Sequence, residues 1–154
     1  MLQMTINLKH QLYSLCLKQI EQKISNAQSA IDSATESAND DTKSSAGDKH
    51  ETGRSMAQLE QEKSRHQLKE ALDLKKSIEK INLQIQSASA HVGSIVITDK
   101  GNFFILVPVG KLSIHEKSYY AISIASPIGI KLKNLIKNDS FDMNGIVYKI
   151  LEVL

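Results

Sequence analysis

Residues 13–38 read YSLCLKQIEQKISNAQSAIDSATESA, and this stretch decides the fold of the first half of the chain. Its apolar side chains recur at alternating spacings of four and three residues. That period places them on one stripe of a helix, like the seam of a coiled coil. The stripe contains Tyr13, Leu17, Ile20, Ile24, Ala27, Ile31, Ala34 and Ala38. Because such a stripe is not stable in water, the pattern predicts a partner helix.

The partner is predicted later in the same chain. A second, less regular stripe contains Ala71, Leu74, Ile78, Ile81 and Ile85, and Ser64 and Gln67 fall on its seam. Two such segments joined by a short polar stretch predict an antiparallel helical hairpin. About thirty helical residues at ~1.5 Å each make a rod of roughly 45 Å. Its far end is built from Ala and Ser, so we expect that end to be thin and only marginally stable.

Composition changes sharply near residues 87–92. Before that point the chain has no Pro and two of its seven Gly, whereas both Pro and all three Phe follow it. This change predicts a helical segment followed by a β-rich one. Apolar runs predict strands over residues 94–98, 102–107 and 119–123. Phe141 and the run 146–153 predict a last hairpin across Asn144-Gly145, a type I′ turn signal.

A single short helix is predicted inside the β-rich segment. Ser126 and Pro127 mark its start, since Ser caps helices well and Pro favours the first helical position. We expect this helix to cover roughly residues 127–135. The sequence therefore predicts an α+β chain. Residues 1–90 form an antiparallel coiled-coil hairpin with an acidic tip near residues 39–51, and residues 91–154 form a small antiparallel β domain.

Composition and charge limit the classes of function. The chain has 154 residues, of which 23% are charged and 41% hydrophobic, as is typical of a soluble globular protein. No apolar run approaches the ~18 residues of a membrane span, and the start lacks the pattern of a signal peptide. Residues 1–90 are neutral, and residues 91–154 have seven Lys against five acids, so tight binding to DNA is not expected. Cys16 is the single cysteine, which suits a reducing cytoplasm.

The loop predicted over residues 39–53 is rich in acids. Carboxylates at the end of a long rod reach into a deep site, and their oxygens are the ligands that Mg²⁺ prefers. The candidate metal ligands are Asp40, Asp41, Asp48 and Glu51. Asp48 and Glu51 also have the spacing of a capping box that opens the second helix. Asp40 and Asp41 oppose the macrodipole at the end of the first helix at a cost of ~0.3–1 kcal/mol, so local stability does not explain them, unless that helix ends earlier and Asn39 caps a new turn.

The histidines, the cysteine and the known catalytic motifs do not predict a metal or catalytic site. The five His, at positions 10, 50, 66, 91 and 115, have no metal-ligand spacing. Cys16 lies beside the apolar stripe, where packing explains it. No phosphate loop, dinucleotide fingerprint or Gly-x-Ser-x-Gly motif is present. Lys131, Lys133 and Lys137 form either a solvated helix face or a basic patch.

A specific resemblance lies in residues 122–132. They read Ile122-Ser123-Ile124-Ala125-Ser126-Pro127-Ile128-Gly129-Ile130-Lys131-Leu132. The stretch matches every fixed position of the Ile-Ser-x-x-Ser-Pro-x-Gly-x-x-Leu motif of the GreA/GreB transcript-cleavage factor family. Asn138-Asp139 stands near that family's Gly-Asp, and residues 92–96 resemble the phrase that opens its C-terminal domain. With the predicted coiled coil, the chain resembles the family in layout over its whole length.

The resemblance implies a fold, a partner and site residues. The C-terminal domain is expected to be FKBP-like and to dock at the secondary channel of RNA polymerase through Ser126, Pro127, Ile128 and Gly129. The coiled coil is expected to enter the channel, where tip carboxylates share Mg²⁺ with the polymerase, which then cleaves its own backtracked RNA. The protein itself is then no enzyme and binds no cofactor alone. It is expected to be a monomer of the bacterial cytoplasm, away from membranes, that meets nascent RNA and DNA only within the polymerase complex.

The acidic tip departs from the family pattern. The family's Gly-Asp-Leu-x-Glu-Asn-Ala-Glu-Tyr phrase is absent, and Asp40 with Asp41, or Asp48 with Glu51, are alternative stand-ins. Docking in the channel is therefore better supported than stimulation of cleavage. The alternatives are a channel-binding regulator without cleavage activity and a coiled-coil adaptor unrelated to transcription. The FKBP-like resemblance also raises prolyl isomerase activity, against which stand the absence of Trp and the scarcity of aromatic residues.

Overall fold

The computed structural model describes the backbone of residues 2–42 and 47–154, and the side chains of residues 2–36 and 53–154. Over these residues, two long helices, α1 (Leu2–Thr42) and α2 (Gly47–Glu79), precede a sheet with one short helix, which confirms the α+β class. The chain divides into two compact units. The helical unit is Gln19–Lys75, and the sheet unit is Met1–Lys18 with Lys76–Leu154. The predicted division at residue 90 followed the change in composition and stays a prediction.

The two helices of the helical unit run antiparallel, as predicted. Gln61 Nε2 on α2 donates a hydrogen bond to Thr35 Oγ1 on α1 over 2.7 Å. Lys75 Nζ on α2 lies 3.7 Å from Glu21 Oε1 on α1. Residues further along α1 therefore contact residues nearer the start of α2, as in an antiparallel pair. Because both side chains of the Glu21–Lys75 pair are largely exposed, this ion pair contributes little to stability.

Small side chains line the seam of α2 in the helical unit. Ala57, Ser64 and Ala71 lie seven residues apart, and all three are buried. A seven-residue spacing keeps one stripe against the partner helix. The prediction that Ser64 falls on the seam is therefore confirmed. The prediction for Gln67 is wrong, because Gln67 is exposed and the seam passes through the half-buried Leu68.

The stripe predicted on α1 is confirmed in the helical unit, where Ile20, Ala27 and Ala34 are buried. Ala38 lies outside the described side chains. Within the sheet unit, the most buried residues of α1 are Leu12 and Cys16, whereas the predicted Tyr13 and Leu17 are half-buried. The prediction there was displaced by one residue, because this part of α1 packs within the sheet unit and does not follow the heptad of the helix pair.

The end of α2 at Glu79 comes before the predicted stripe is complete. Ile81 and Ile85 lie beyond the helix, and Ile85 is half exposed, so their assignment to a helical stripe is wrong. Backbone hydrogen bonds between residues three apart tighten the last turn. Asn82 Oδ1 then accepts from the backbone N of Gln84 over 2.9 Å, which closes a turn that the helix cannot continue.

Six strands of the described chain form one sheet in the order β3-β4-β2-β1-β6-β5. Their bounds are β1 (Ile95–Thr98), β2 (Gly101–Ile105), β3 (Gly110–Ile114), β4 (Lys117–Ile122), β5 (Ser140–Met143) and β6 (Ile146–Val153), and α3 (Pro127–Leu132) lies between β4 and β5. The strands predicted over 94–98, 102–107 and 119–123 correspond to β1, β2 and β4. β3 was not predicted.

The sheet is mixed, so the prediction of a purely antiparallel domain is wrong. β2 and β4 pair in parallel, whereas the other neighbours are antiparallel. The cause lies in the connection after β2, where Pro108 cannot continue the ladder. Val109 N donates to Val107 O over 2.9 Å in a tight turn, and the chain leaves β2 there. β3 then forms the outer edge, and β4 returns between β3 and β2.

Two hairpins use the same left-handed turn with different sequences. The predicted type I′ turn at Asn144-Gly145 is confirmed, with φ of 55° and 82°. The β3–β4 turn at His115-Glu116 also has two positive φ values, 49° and 66°. His and Glu lack the freedom of glycine in this region, so local propensity opposes the turn and the pairing of β3 with β4 imposes it.

The core of the sheet unit is built from large apolar side chains. Seven buried residues form one cluster, which consists of Ala90, Val96, Phe103, Ile105, Leu132, Phe141 and Ile150. Phe141 stacks on Tyr148 with ring centroids 4.9 Å apart. Leu132 connects α3 to this cluster. α3 is therefore fixed on the sheet, and its outer residues are held in place.

Candidate functional site

The start of α3 is shaped by two of the four residues that the sequence assigned to docking. Ser126 Oγ accepts a hydrogen bond from Gly129 N over 3.1 Å and donates to Ser123 O over 2.6 Å. Pro127 occupies the first turn, where its fixed φ suits a helix. The predicted cap and helix start are confirmed. Ser126 is only half-buried, but its hydroxyl is committed to these two bonds.

Gly129 has a steric reason to be glycine. It is buried, and a Cβ atom at this position would lie 2.1 Å from Ser123 O and 2.8 Å from backbone atoms of Ile124. No side chain fits in that space. Ile128 is half-buried and packs against the core cluster. Of the four residues assigned to docking, only Pro127 is therefore exposed.

The exposed apolar side chains near Pro127 were not predicted. Ile130 is 64% exposed on α3, and Ile136 is 47% exposed shortly after it. Gly129 and Leu132 face inward, so Ile130 lies on the outer side of a six-residue helix where a polar residue is usual. That helical spacing was the signal in the sequence. For Ile136 no local signal existed, because its exposure depends on its pairing with Ser89.

Three lysines are close in sequence to Ile130 and Ile136. Lys131, Lys133 and Lys137 are exposed, and within the described part of the chain none of them has an ion-pair partner. The following carboxylate, Asp139, is already used, because its Oδ2 accepts from Ile136 N over 2.8 Å. We define the α3 patch as the exposed side chains Pro127, Ile130, Lys131, Lys133, Ile136 and Lys137.

The predicted extent of α3 to residue 135 is wrong, and its early end shapes the α3 patch. The helix ends at Leu132, and Asn134 has a φ of 68°. Asn134 N donates to Ala90 O over 2.9 Å, and Ala90 N donates to Leu135 O over 2.8 Å. These long-range bonds draw the chain away from the helix axis. Ile136 consequently lies in an isolated bridge with Ser89, and Lys137 lies in the turn that follows, so neither belongs to a helical face.

The four candidate metal ligands lie outside the described side chains. Asp40 and Asp41 fall in the last turn of α1, and Asp48 and Glu51 fall in the first turns of α2. The helices extend further into the predicted loop than the sequence indicated. Because α2 begins at Gly47, Asp48 lies inside the helix and does not precede it, which does not match a capping box. The prediction that these acids meet Mg²⁺ stays a prediction.

Other reactive groups are committed to packing. Burial raises the pKa of the Cys16 thiol to about 12, so it is protonated and unreactive at neutral pH. His91 Nδ1 lies 2.7 Å from Ser94 Oγ, but Ser94 is fully buried and out of reach of a substrate. Among the described residues, no group of three His, Cys, Asp or Glu side chains is arranged to hold a metal ion.

No helix within the described residues is long and apolar enough to cross a membrane. Neither a protein-family model nor a curated protein matches the chain.

Proposed function

We propose that this protein is a Gre-type factor that binds RNA polymerase, with its sheet unit docked at the rim of the secondary channel and its helical unit inside the channel. The observation that carries the proposal is the motif of residues 122–132, which matches the Gre motif at every fixed position. The antiparallel pair of long helices that precedes the six strands supports it, because this order of elements is the layout that the resemblance implies.

The roles of the motif residues refine the proposal. Ser126 and Gly129 fix the start of α3, so their part in docking is to position other side chains. The contact itself is assigned to the α3 patch, with Pro127 and Ile130 at its centre. Exposed apolar side chains, close in sequence to lysines that have no ion-pair partner among the described residues, suit a partner surface that is apolar and carries acidic groups.

The fold proposed for the sheet unit is FKBP-like. A sheet with one short helix packed on it through Leu132 fits that proposal. We assign the sheet unit to binding and not to prolyl isomerisation, because few aromatic side chains are available to line a proline pocket. A peptide isomerisation assay tests this assignment, and catalysis above the uncatalysed rate would contradict it.

The chemistry proposed at the tip belongs to the polymerase. Asp40, Asp41, Asp48 and Glu51 would supply carboxylate ligands to Mg²⁺ in the active site of the polymerase, which cleaves its own RNA. The protein is then a factor and not an enzyme, and it meets nascent RNA and DNA only inside the complex. We propose that it acts as a cytoplasmic monomer.

Binding to polymerase core enzyme is the first test. Ile130→Glu places a charge at the centre of the α3 patch and should weaken binding at least about tenfold. Ile146→Glu is the matched control, because Ile146 is also an exposed isoleucine, at 48%, but belongs to β6. Equal binding by both variants would remove the α3 patch from the proposal. No binding by the unmodified protein at micromolar concentration would favour the coiled-coil adaptor.

Release of RNA from arrested polymerase complexes is the second test. The unmodified protein should release 3′ fragments, and Asp40→Asn with Asp41→Asn, or Asp48→Asn with Glu51→Gln, should abolish the release. Asp32→Asn is the control, because Asp32 is an exposed acid on the same helix as Asp40. Binding without fragment release by the unmodified protein would favour a channel-binding regulator that does not stimulate cleavage.

A further inference from the structure

The turn between β5 and β6 contains a chemically labile dipeptide. Asn144 is the one asparagine of the chain that precedes a glycine. The backbone N of the residue after an asparagine can attack the side-chain amide, and glycine hinders this attack least because it has no Cβ. Both residues are exposed, and a Cβ built at Gly145 would have no atom within 4 Å. Water and free space are therefore available at this turn.

Two other asparagines of the sheet unit differ from Asn144 in the partner of the attacking nitrogen. Asn134 and Asn138 are also exposed and also have positive φ values, 68° and 77°. The backbone N of Leu135 and that of Asp139 each donate to a main-chain carbonyl three residues earlier, over 3.0 Å and 3.1 Å. A main-chain carbonyl cannot turn away by itself, so these two nitrogens are fixed by the fold.

The nitrogen after Asn144 is held by a side chain instead. Gly145 N donates to Asp142 Oδ1 over 3.2 Å. Asp142 is exposed, so its carboxylate can turn towards water and release the nitrogen. While the bond is made, the carboxylate holds the proton that the nitrogen must lose, and its charge opposes the anion that this loss creates. The bond therefore slows the attack without preventing it.

We propose that Asn144 is a site of spontaneous modification in the folded protein, where it converts to isoaspartate at a rate that Asp142 limits. Gly145 N loses its proton and bonds to the side-chain Cγ of Asn144. The bond from Cγ to the amide nitrogen breaks, and that nitrogen leaves as ammonia with the proton. Water then opens the cyclic imide. Addition of water at the main-chain carbonyl gives isoaspartate, and addition at Cγ gives aspartate.

Isoaspartate should weaken the hairpin that contains it. It inserts a methylene group into the main chain, which does not fit the type I′ turn that places Met143 opposite Ile146. The same hairpin stacks Phe141 on Tyr148, and Phe141 belongs to the core cluster. The modified protein should therefore unfold at a lower temperature than the fresh protein. The proposal does not depend on polymerase binding, because the reaction needs only the chain and water.

Ageing of the whole protein at physiological temperature and mildly alkaline pH is the test. Peptide mapping by mass spectrometry, with isoaspartate identified by enzymatic methylation, follows positions 134, 138 and 144. Asn144 should convert at least about tenfold faster than Asn134 or Asn138, because glycine leaves its nitrogen unhindered. Equal rates at the three positions, or no isoaspartate at position 144, would overturn the proposal.

Two aspartate variants test the role of Asp142. Asp142→Ala should raise the rate at Asn144 about threefold or more, because it removes the hydrogen bond to Gly145 N. Asp139→Ala is the matched control, because Asp139 also accepts from a backbone N, that of Ile136, and should leave the rate at Asn144 unchanged. Equal rates in the two variants would overturn the role of Asp142. The comparison of the three asparagines uses the unmodified chain, so it decides the matter even where a variant does not fold.

Discussion

The helical unit and the sheet unit bury different kinds of side chain. Among the described residues of the helical unit, one large side chain, Ile20, is buried, and the other buried residues are small: Ala27, Ala34, Ala57, Ser64 and Ala71. In the sheet unit, Phe104, Ile95 and other large side chains are fully buried. Since the stabilisation from burial grows with the apolar area removed from water, the same chain has one weakly and one strongly stabilised part. Local opening should therefore begin in the helical unit.

The largest expected effect is a difference between the two units in the free energy of unfolding that is lost when a buried side chain is truncated. Phe104→Ala should lower the free energy of unfolding by about 3–5 kcal/mol, since it empties a fully buried site in β2. Ala27→Gly, the corresponding truncation in the helical unit, should cost about 1 kcal/mol, mainly through helix propensity. Urea unfolding followed by circular dichroism measures both. Similar losses for the two variants would contradict the contrast between the units.

A steric test concerns α3. Gly129→Ala should cost roughly 3 kcal/mol, because the new methyl group would overlap Ser123 O and the backbone must move. Gly145→Ala is the control, because it has a φ of 82° but no atom within 4 Å of the added Cβ. Its cost should be about 1–2 kcal/mol, from backbone strain alone. Thermal unfolding measures the difference, and equal costs would show that the space around Gly129 is not limiting.

A Ser→Ala substitution should lower the stability of the sheet unit and raise that of the helical unit. Ser94→Ala should cost about 1–3 kcal/mol, because it removes the hydroxyl that bonds His91 at Nδ1 and at the backbone N. Ser64→Ala should instead stabilise the helical unit by about 0.5 kcal/mol, because Ala favours the helix and suits an apolar seam. Chemical denaturation of each variant checks the signs. Destabilisation by Ser64→Ala would mean that its hydroxyl is used in the seam.

The smallest effect is a pH dependence confined to the sheet unit. A hydrogen bond from Lys149 N, and then one from Lys100, lower the pKa of Asp99. The lowered pKa stabilises the fold above the unfolded-state pKa of about 4, and this stability is lost as the pH falls through the lower folded-state pKa. Asp99→Asn should therefore show a flatter loss of stability below about pH 4 than the unmodified protein.

The control for Asp99 is Glu152→Gln, which removes an exposed carboxylate that has no hydrogen bond within the described residues. Acid titration of the thermal midpoint measures both variants. An acid profile of Asp99→Asn that is identical to that of the unmodified protein would contradict the role of Asp99. Asp99→Asn should not change the pH dependence of the stability of the helical unit, because Asp99 connects the β1–β2 turn to β6 within the sheet unit.

Part of the candidate site was predictable and part was not. The cap by Ser126 and the start at Pro127 follow from neighbouring residues, so the sequence predicted both. The need for glycine at position 129 depends on the backbone of Ser123, and the exposure of Ile136 depends on its pairing with Ser89. Such contacts join different segments of the chain, and the sequence pattern does not show how those segments are placed relative to one another. The side chains of the four tip acids are outside the described residues, so their role stays a prediction.

The sequence by itself determined the features that neighbouring residues control. The seven-residue repeat predicted an antiparallel helix pair, and Asn144-Gly145 predicted its turn, because helix periodicity and left-handed turns are local properties. Only the tertiary structure decided that β2 and β4 pair in parallel, that His115-Glu116 adopts a turn it disfavours, and that Lys9 is buried. Each of these results depends on packing between distant segments, whose gain exceeds the local preference that it opposes.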